Sequence, residues 1–122
     1  MSGENSRLLG RWGEALAADF FRKKGGEIIA ANWHCRFGEV DLVVALDGYL
    51  CFVEVKLRKN ARFGQGGEFV DRRKQEKLRT SAELYLADHP TTLQPRFDVV
   101  EIYAPQGADS KAPDVRHTEN AF

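Results

Sequence analysis

Residues 38 to 58 read GEVDLVVALDGYLCFVEVKLR. Val, Leu, Phe and Cys dominate the run, as in a buried sheet. Asp47-Gly48 divides it, and Asp-Gly between two apolar runs is a strong hairpin signal. The spacing predicts antiparallel strands over 39–46 and 49–57. Four charged residues lie within these otherwise apolar strands: Glu39, Asp41, Glu54 and Lys56.

Side chains alternate between the faces of a strand, so Glu39 and Asp41 are expected on one face, with Glu54 and Lys56. A two-residue turn pairs Leu46 with Tyr49. Asp41 then lies opposite Glu54 and Glu39 opposite Lys56, with Cβ atoms about 5 Å apart. Glu39 and Lys56 make sense as a cross-strand ion pair worth about 0.2 to 1 kcal/mol. Asp41 and Glu54 do not, because directly opposed like charges destabilise a sheet and raise a carboxyl pKa. Lys56 compensates in part, and a divalent cation would compensate more fully. Converging carboxylates suit Mg²⁺, which would activate water and polarise a phosphoryl oxygen. Spacing alone leaves two readings open: metal-assisted phosphodiester hydrolysis, or charges on a solvated strand face.

Residues 6–24 read as a helix capped by Asn5 or Ser6, with Leu9, Trp12, Leu16 and Phe20 as its apolar stripe. Gly10 and Gly13 each cost about 1 kcal/mol relative to alanine, which close packing near Gly13 and Glu14 would explain. Gly25 and Gly26 end the helix. Residues 27–34 are a candidate first strand. The loop NARFGQGG, 60–67, lacks the GK[ST] ending of a phosphate-cradling loop. A second helix is expected over 70–89, with Leu78, Ala82, Tyr85 and Leu86 inward and Pro90 as its stop. A last strand over 94–103 follows, parallel to its neighbour because the helix serves as a crossover. From Ala104 onward no periodicity is visible, so 1–103 is read as one domain and 104–122 as a disordered tail.

The 122 residues are 43% hydrophobic and 30% charged, with a formal net charge of zero, so overall charge points to neither nucleic acid nor membrane. Locally, Lys56 to Arg79 holds nine basic and three acidic residues, a patch if they share a face. No apolar run approaches the roughly 20 residues of a membrane span. The N-terminus is too polar for a signal peptide, so a cytoplasmic location is expected. Cys35 and Cys51 form no CxxC pair, and Cys51 reads as a small buried hydrophobe. His34, His89 and His117 show no paired ligand spacing, and Trp12 and Trp33 are most simply core.

GEVDLV followed after a hairpin by FVEVKLR is similar to the acid–acid-x-lysine signature of the restriction-endonuclease-like superfamily. RWGEALAADFF, AANWHCRFGEVDLV, the lysine of VDRRKQEKL, and RFDVV complete a resemblance over roughly residues 9–103. It is to a small bacterial family of predicted endonucleases, UPF0102, similar to archaeal Holliday-junction resolvases. The resemblance implies an α/β fold with an αβββαβ core and a mixed central sheet. It implies Asp41, Glu54 and the backbone carbonyl of Val55 as ligands of Mg²⁺ or Mn²⁺, with Lys56 as catalytic lysine. Glu14 matches the acidic residue such enzymes bring to the metal or its waters, and Glu39 the acidic position beside the aspartate. The family often has threonine where this chain has Leu57, which should affect packing more than chemistry. Arg58, Lys59, Arg62, Arg72, Arg73, Lys74, Gln75 and Lys77 become candidate phosphate contacts, with Phe63 and Phe69 as candidate stacking residues. The expectation is a metal-dependent endonuclease on DNA, with branched or junction DNA as a candidate substrate and a homodimer as a candidate state. No membrane or small-molecule cofactor is expected. The alternatives are a nucleic-acid-binding module without turnover and a protein-interaction scaffold with a relic site.

Overall fold

The computed structural model describes residues 3–58 and 71–122, residues 3–6 through their backbone only. Helix α1 spans Gly3–Lys23, and strands β1 (Glu27–Cys35), β2 (Gly38–Leu46) and β3 (Tyr49–Arg58) follow. Helix α2 spans Arg72–Asp88, strand β4 Gln94–Tyr103 and strand β5 Asp114–Thr118. The sheet runs in chain order from β1 to β5. Every pairing is antiparallel except β3 with β4, which is parallel. This is the expected restriction-endonuclease-like αβββαβ core with a mixed sheet, extended by one strand. None of the described helices is long and apolar enough to cross a membrane.

The hairpin forms as its turn residues dictate. Asp47 and Gly48 take φ of 51° and 86°, the left-handed pair that matches the twist of two joined strands. Leu46 pairs with Tyr49, and the register holds through Leu42 and Val53.

Helix α1 packs on one face of the sheet and α2 on the other. Leu42, Val44, Cys51, Val53 and Ile102 meet Ala17 and Phe21 on the α1 side. Val40, Val43, Phe52 and Val99 meet Leu78, Ala82 and Tyr85 on the α2 side. The expected α1 stripe is shifted. Gly13, Ala17 and Phe21 form the deepest line, while Trp12, Leu16 and Phe20 are only partly buried beside it. Small residues let the helix backbone approach the sheet: a Cβ on Gly13 would meet Leu57 Cδ2 at 3.0 Å. Among the described residues nothing lies within 4 Å of a Cβ on Gly10, so their packing does not account for it. Helix α2 is capped by Asp71, whose carboxylate accepts from the Lys74 N–H at 2.9 Å.

The expectation of disorder from Ala104 onward is corrected. Ala104 is buried, and β5 pairs with β4 from Val99–Thr118 to Tyr103–Asp114. A buried carboxylate fastens this segment. Asp98 accepts two bonds from Arg96 at 2.9 Å, one from His117 Nε2 at 2.7 Å and one from the Asn120 N–H at 3.1 Å. The His117 ring also packs edge-on against Phe21. His117 thus has a structural role.

Candidate active site where two strands part

The β2–β3 ladder ends at Leu42 and Val53, whereas β1 and β2 stay paired as far as Cys35 and Gly38. Alternation would place Val40 with Leu42 on the α1 side, yet Val40 packs with Val43 on the α2 side. The strand therefore turns over at Asp41. Across β1 from this point lies Asn32, with a left-handed φ of 53°. The expected ladder pairs of Asp41 with Glu54 and of Glu39 with Lys56 do not form. The physical reason is this turnover, which parts β2 from β3 before those positions are reached.

Asp41 fills the gap that results. Its Oδ2 accepts the Val55 N–H at 2.8 Å, taking the place of a strand carbonyl. An N–H and C=O of one strand residue point to the same edge, so the Val55 carbonyl faces this gap too. Glu54 is 5% exposed and Asp41 9%. Helix α2 brings the Lys74 ammonium into contact with Glu54 Oε1, and Lys56 Nζ lies 3.6 Å from the same oxygen. Helix α1 brings Glu14, whose Oε1 accepts from Asn32 Nδ2 at 2.6 Å. Asp41, Glu54, Val55, Lys56, Glu14 and Lys74 all line one cleft of about 250 Å³. Glu39 lines its rim, with its Oε2 3.5 Å from His34 Nδ1.

Burial, and then the nearby Glu54 charge, push the Asp41 carboxyl up to about 7, against the opposing bond from Val55. Glu14 is also raised, by burial first, and Glu39 adds to it while Asn32 opposes. Burial lowers Lys56, and the neighbouring Lys74 lowers it further. Burial is the largest influence on Lys74 and works against its charged form, but the bond to Glu54, the Glu54 and Asp41 charges and the neighbouring Lys56 together outweigh it and the shift is upward. Lys74 touches Glu54 while Lys56 stands off at 3.6 Å, and among the described residues Asp41 has no ion pair. Among the described residues no group of three or more His, Cys, Asp or Glu is gathered closely enough to hold a metal ion. The oxygens facing the cleft, two buried carboxylates and one strand carbonyl, are donors of the kind hard cations take.

The basic candidates are dispersed. Lys74 sits in the cleft, Lys77 lines an adjoining pocket with Gly38, Asp41 and Glu54, and Arg73 lies in a groove with Phe37 and Lys77. Arg72 is exposed and Gln75 half-buried in the same turn of α2. Arg58 is held by the buried Glu101 at 3.2 Å and lines a separate depression with Leu9 and Ala104. Lys59, Arg62, Phe63 and Phe69 lie outside the described residues.

A second basic bank stands outside the candidates expected from the sequence. Arg7 and Arg11 line a depression that shares Gly10, Glu14 and Glu39 with the cleft. Their signal is in the sequence: residues 7, 10, 11 and 14 have the spacing of one helix face. Asn32 has no such signal.

A family model described as "Uncharacterised protein family UPF0102" matches residues 13–102. The chain belongs to the UPF0102 family. A UPF0102 protein of Syntrophomonas wolfei is 44% identical over 118 residues, which cover 96% of this chain and 99% of the relative. One of Caldanaerobacter subterraneus is 38% identical over 123 residues, covering all of both. One of Acetivibrio thermocellus is 39% identical over 121 residues, covering 97% and 93%. The UPF0102 match contains Glu14, Asn32, Asp41, Glu54, Lys56 and Lys74, and stops short of β5.

Proposed function

We propose that this UPF0102 protein is a metal-dependent endonuclease that hydrolyses DNA phosphodiester bonds in the cleft between β2 and β3. The observation that carries the reading is the buried pair of Asp41 and Glu54, with the Asp41 carboxyl driven up to about 7. A purely structural sheet would have little reason to bury two carboxylates side by side. In this reading Asp41, Glu54 and the Val55 carbonyl hold Mg²⁺ or Mn²⁺, with Glu14 toward its waters. The bound ion would polarise the phosphoryl oxygen and supply an activated water. Lys56, fixed on the strand beside Glu54, would stabilise negative charge developing on the phosphate. Arg7 and Arg11 on one side, and Arg73 and Lys77 on the other, would track the DNA backbone.

The test is cleavage of linear, flapped and four-way DNA by pure protein with Mg²⁺ or Mn²⁺. Wild-type protein is expected to cut at least one of these. Asp41→Asn and Glu54→Gln are expected to lose cleavage and keep binding. Absence of cleavage on every DNA substrate would overturn the reading. Preference for the four-way form, together with a dimer in light scattering, would support the junction-resolving version.

A second reading is a nucleic-acid-binding module with a relic site. It is favoured by the contact of Lys74 with Glu54, which gives that carboxylate a counter-ion without a metal. It predicts salt-dependent DNA binding and no Mn²⁺ uptake by calorimetry.

A further inference from the structure

We propose that Lys74 is an internal counter-ion that occupies the cation position at Glu54 and must be displaced when a divalent ion enters. The proposal rests on the reading of Asp41 and Glu54 as metal ligands. Its geometric basis is an uneven distribution of charge. Both ammonium groups of the cleft converge on one oxygen, Glu54 Oε1. Asp41 has no ion pair among the described residues, and its carboxylate accepts from the Val55 N–H instead. Two cations crowd one carboxylate while its neighbour has none. A single divalent ion between the carboxylates would serve both.

Of the two lysines, Lys74 is the one placed to leave. Lys56 projects from the middle of the sheet, and its side chain is 26% exposed; that of Lys74 is 44% exposed. The Lys74 backbone is fixed by its bond to the Asp71 cap, so only the flexible stem has to swing. The adjoining pocket of Gly38, Glu39, Lys77 and Leu78 opens beside it. A residue that merely lines the site would not affect metal affinity, and a ligand would weaken it when removed. A competing ammonium does the opposite, and its removal tightens binding.

The experiment is calorimetric titration of Mn²⁺ into wild type, Lys74→Met, Lys74→Arg and Glu54→Gln. Lys74→Met is expected to bind Mn²⁺ about three- to fivefold more tightly, the upper end of the range for a partly solvated ion pair. Lys74→Arg should stay within about twofold of wild type because the charge remains, and Glu54→Gln should lose binding. If Lys74→Met binds no more tightly than wild type while Glu54→Gln still abolishes binding, Lys74 is not a competitor and the metal site stands. If neither wild type nor Lys74→Met takes up Mn²⁺, the metal reading and this inference fall together. Should Lys74→Met fold poorly, Lys74→Gln is followed by thermal melting in EDTA and in Mn²⁺. Mn²⁺ should raise its midpoint by more than that of wild type, and an equal rise overturns the proposal.

Discussion

Replacing Asp41 with asparagine should make the metal-free protein more stable at pH 8. The folded protein holds this carboxyl at about 7 against an ordinary value of 3.8. A carboxyl raised in the folded state favours folding while it is protonated. That contribution is complete below 3.8, and it is lost as the pH climbs through about 7. Above the window the folded state carries an ionised carboxylate in a buried site beside Glu54. A rise of roughly three pKa units corresponds to about 4 kcal/mol. Asparagine cannot ionise, and its Oδ1 can keep the bond from the Val55 N–H. Its amide group needs a new partner, which offsets part of the gain. The expected net gain at pH 8 is about 1 to 3 kcal/mol, or roughly 4 to 12 °C in midpoint for a domain of this size. At pH 5 the two proteins should melt together, or the variant slightly lower. Differential scanning calorimetry in EDTA at pH 5, 6, 7 and 8 measures this directly. A pH-independent difference between the two proteins, or a less stable variant at pH 8, would refute the reasoning. Excess Mn²⁺ at pH 8 should return wild type toward the variant and leave the variant unmoved.

Three further outcomes follow from other parts of the molecule. At Asp98 burial alone would raise the carboxyl, but the bonds from His117 and Arg96 outweigh it and the shift is downward. Its stabilisation is therefore present above the ordinary carboxylate value and is lost only as the pH falls through the lower folded one. Asp98→Ala should cost about 3 to 5 kcal/mol by leaving Arg96 buried without its partner, and hydrogen exchange should show 114–118 opening first. Double charge reversal at Arg7 and Arg11, or at Arg73 and Lys77, should weaken DNA binding across all sequences and reduce the salt slope by about one for each phosphate no longer neutralised; an unchanged slope in fluorescence anisotropy would place the DNA elsewhere. Gly10→Ala should add up to about 1 kcal/mol by helix propensity, since among the described residues nothing lies within 4 Å of the added methyl, and a lowered midpoint would contradict that open space.

The hairpin is legible in the sequence because its information is local. Asp47-Gly48 sets the turn, the turn sets the register, and the register holds through Leu42 and Val53. The four charged residues of its strands are legible too, although their arrangement in the cleft is not. Strict alternation fails beyond the last ladder pair, and nothing in GEVD announces that the chain turns over at Asp41. Asn32 takes part in that irregularity from another strand, and its left-handed backbone carries no periodic signal. The C-terminal strand is hidden on similar grounds. DVRHT offers one aliphatic residue, and its hold on the sheet comes from His117 and Asn120 meeting a carboxylate about 20 residues earlier, which apolar periodicity does not detect. Arg7 and Arg11 are different: their spacing with Glu14 is visible in the sequence, but it lies on the polar face of α1, which an apolar stripe does not describe.

The unequal lengths of two ladders govern the site more directly than any single side chain in it does. Were β2 to stay paired with β3 beyond Leu42, a strand carbonyl would take the Val55 N–H, and Asp41 would have no reason to enter the sheet. What keeps β2 away is β1. The Trp33–Val40 and His34–Glu39 pairs draw the start of β2 toward the outer strand. Trp33 is itself braced against Tyr85 of α2, with ring centroids 5.3 Å apart. That aromatic contact lies outside the cleft, in the cluster on the α2 side of the sheet. Trp33→Ala should loosen the start of β2 and let water reach Asp41; because burial is the first cause of its elevation, the carboxyl should fall back toward its ordinary range and the pH dependence of the Asp41→Asn comparison should flatten. A substitution that touches none of the acidic residues would then abolish the electrostatic feature on which the proposed chemistry rests.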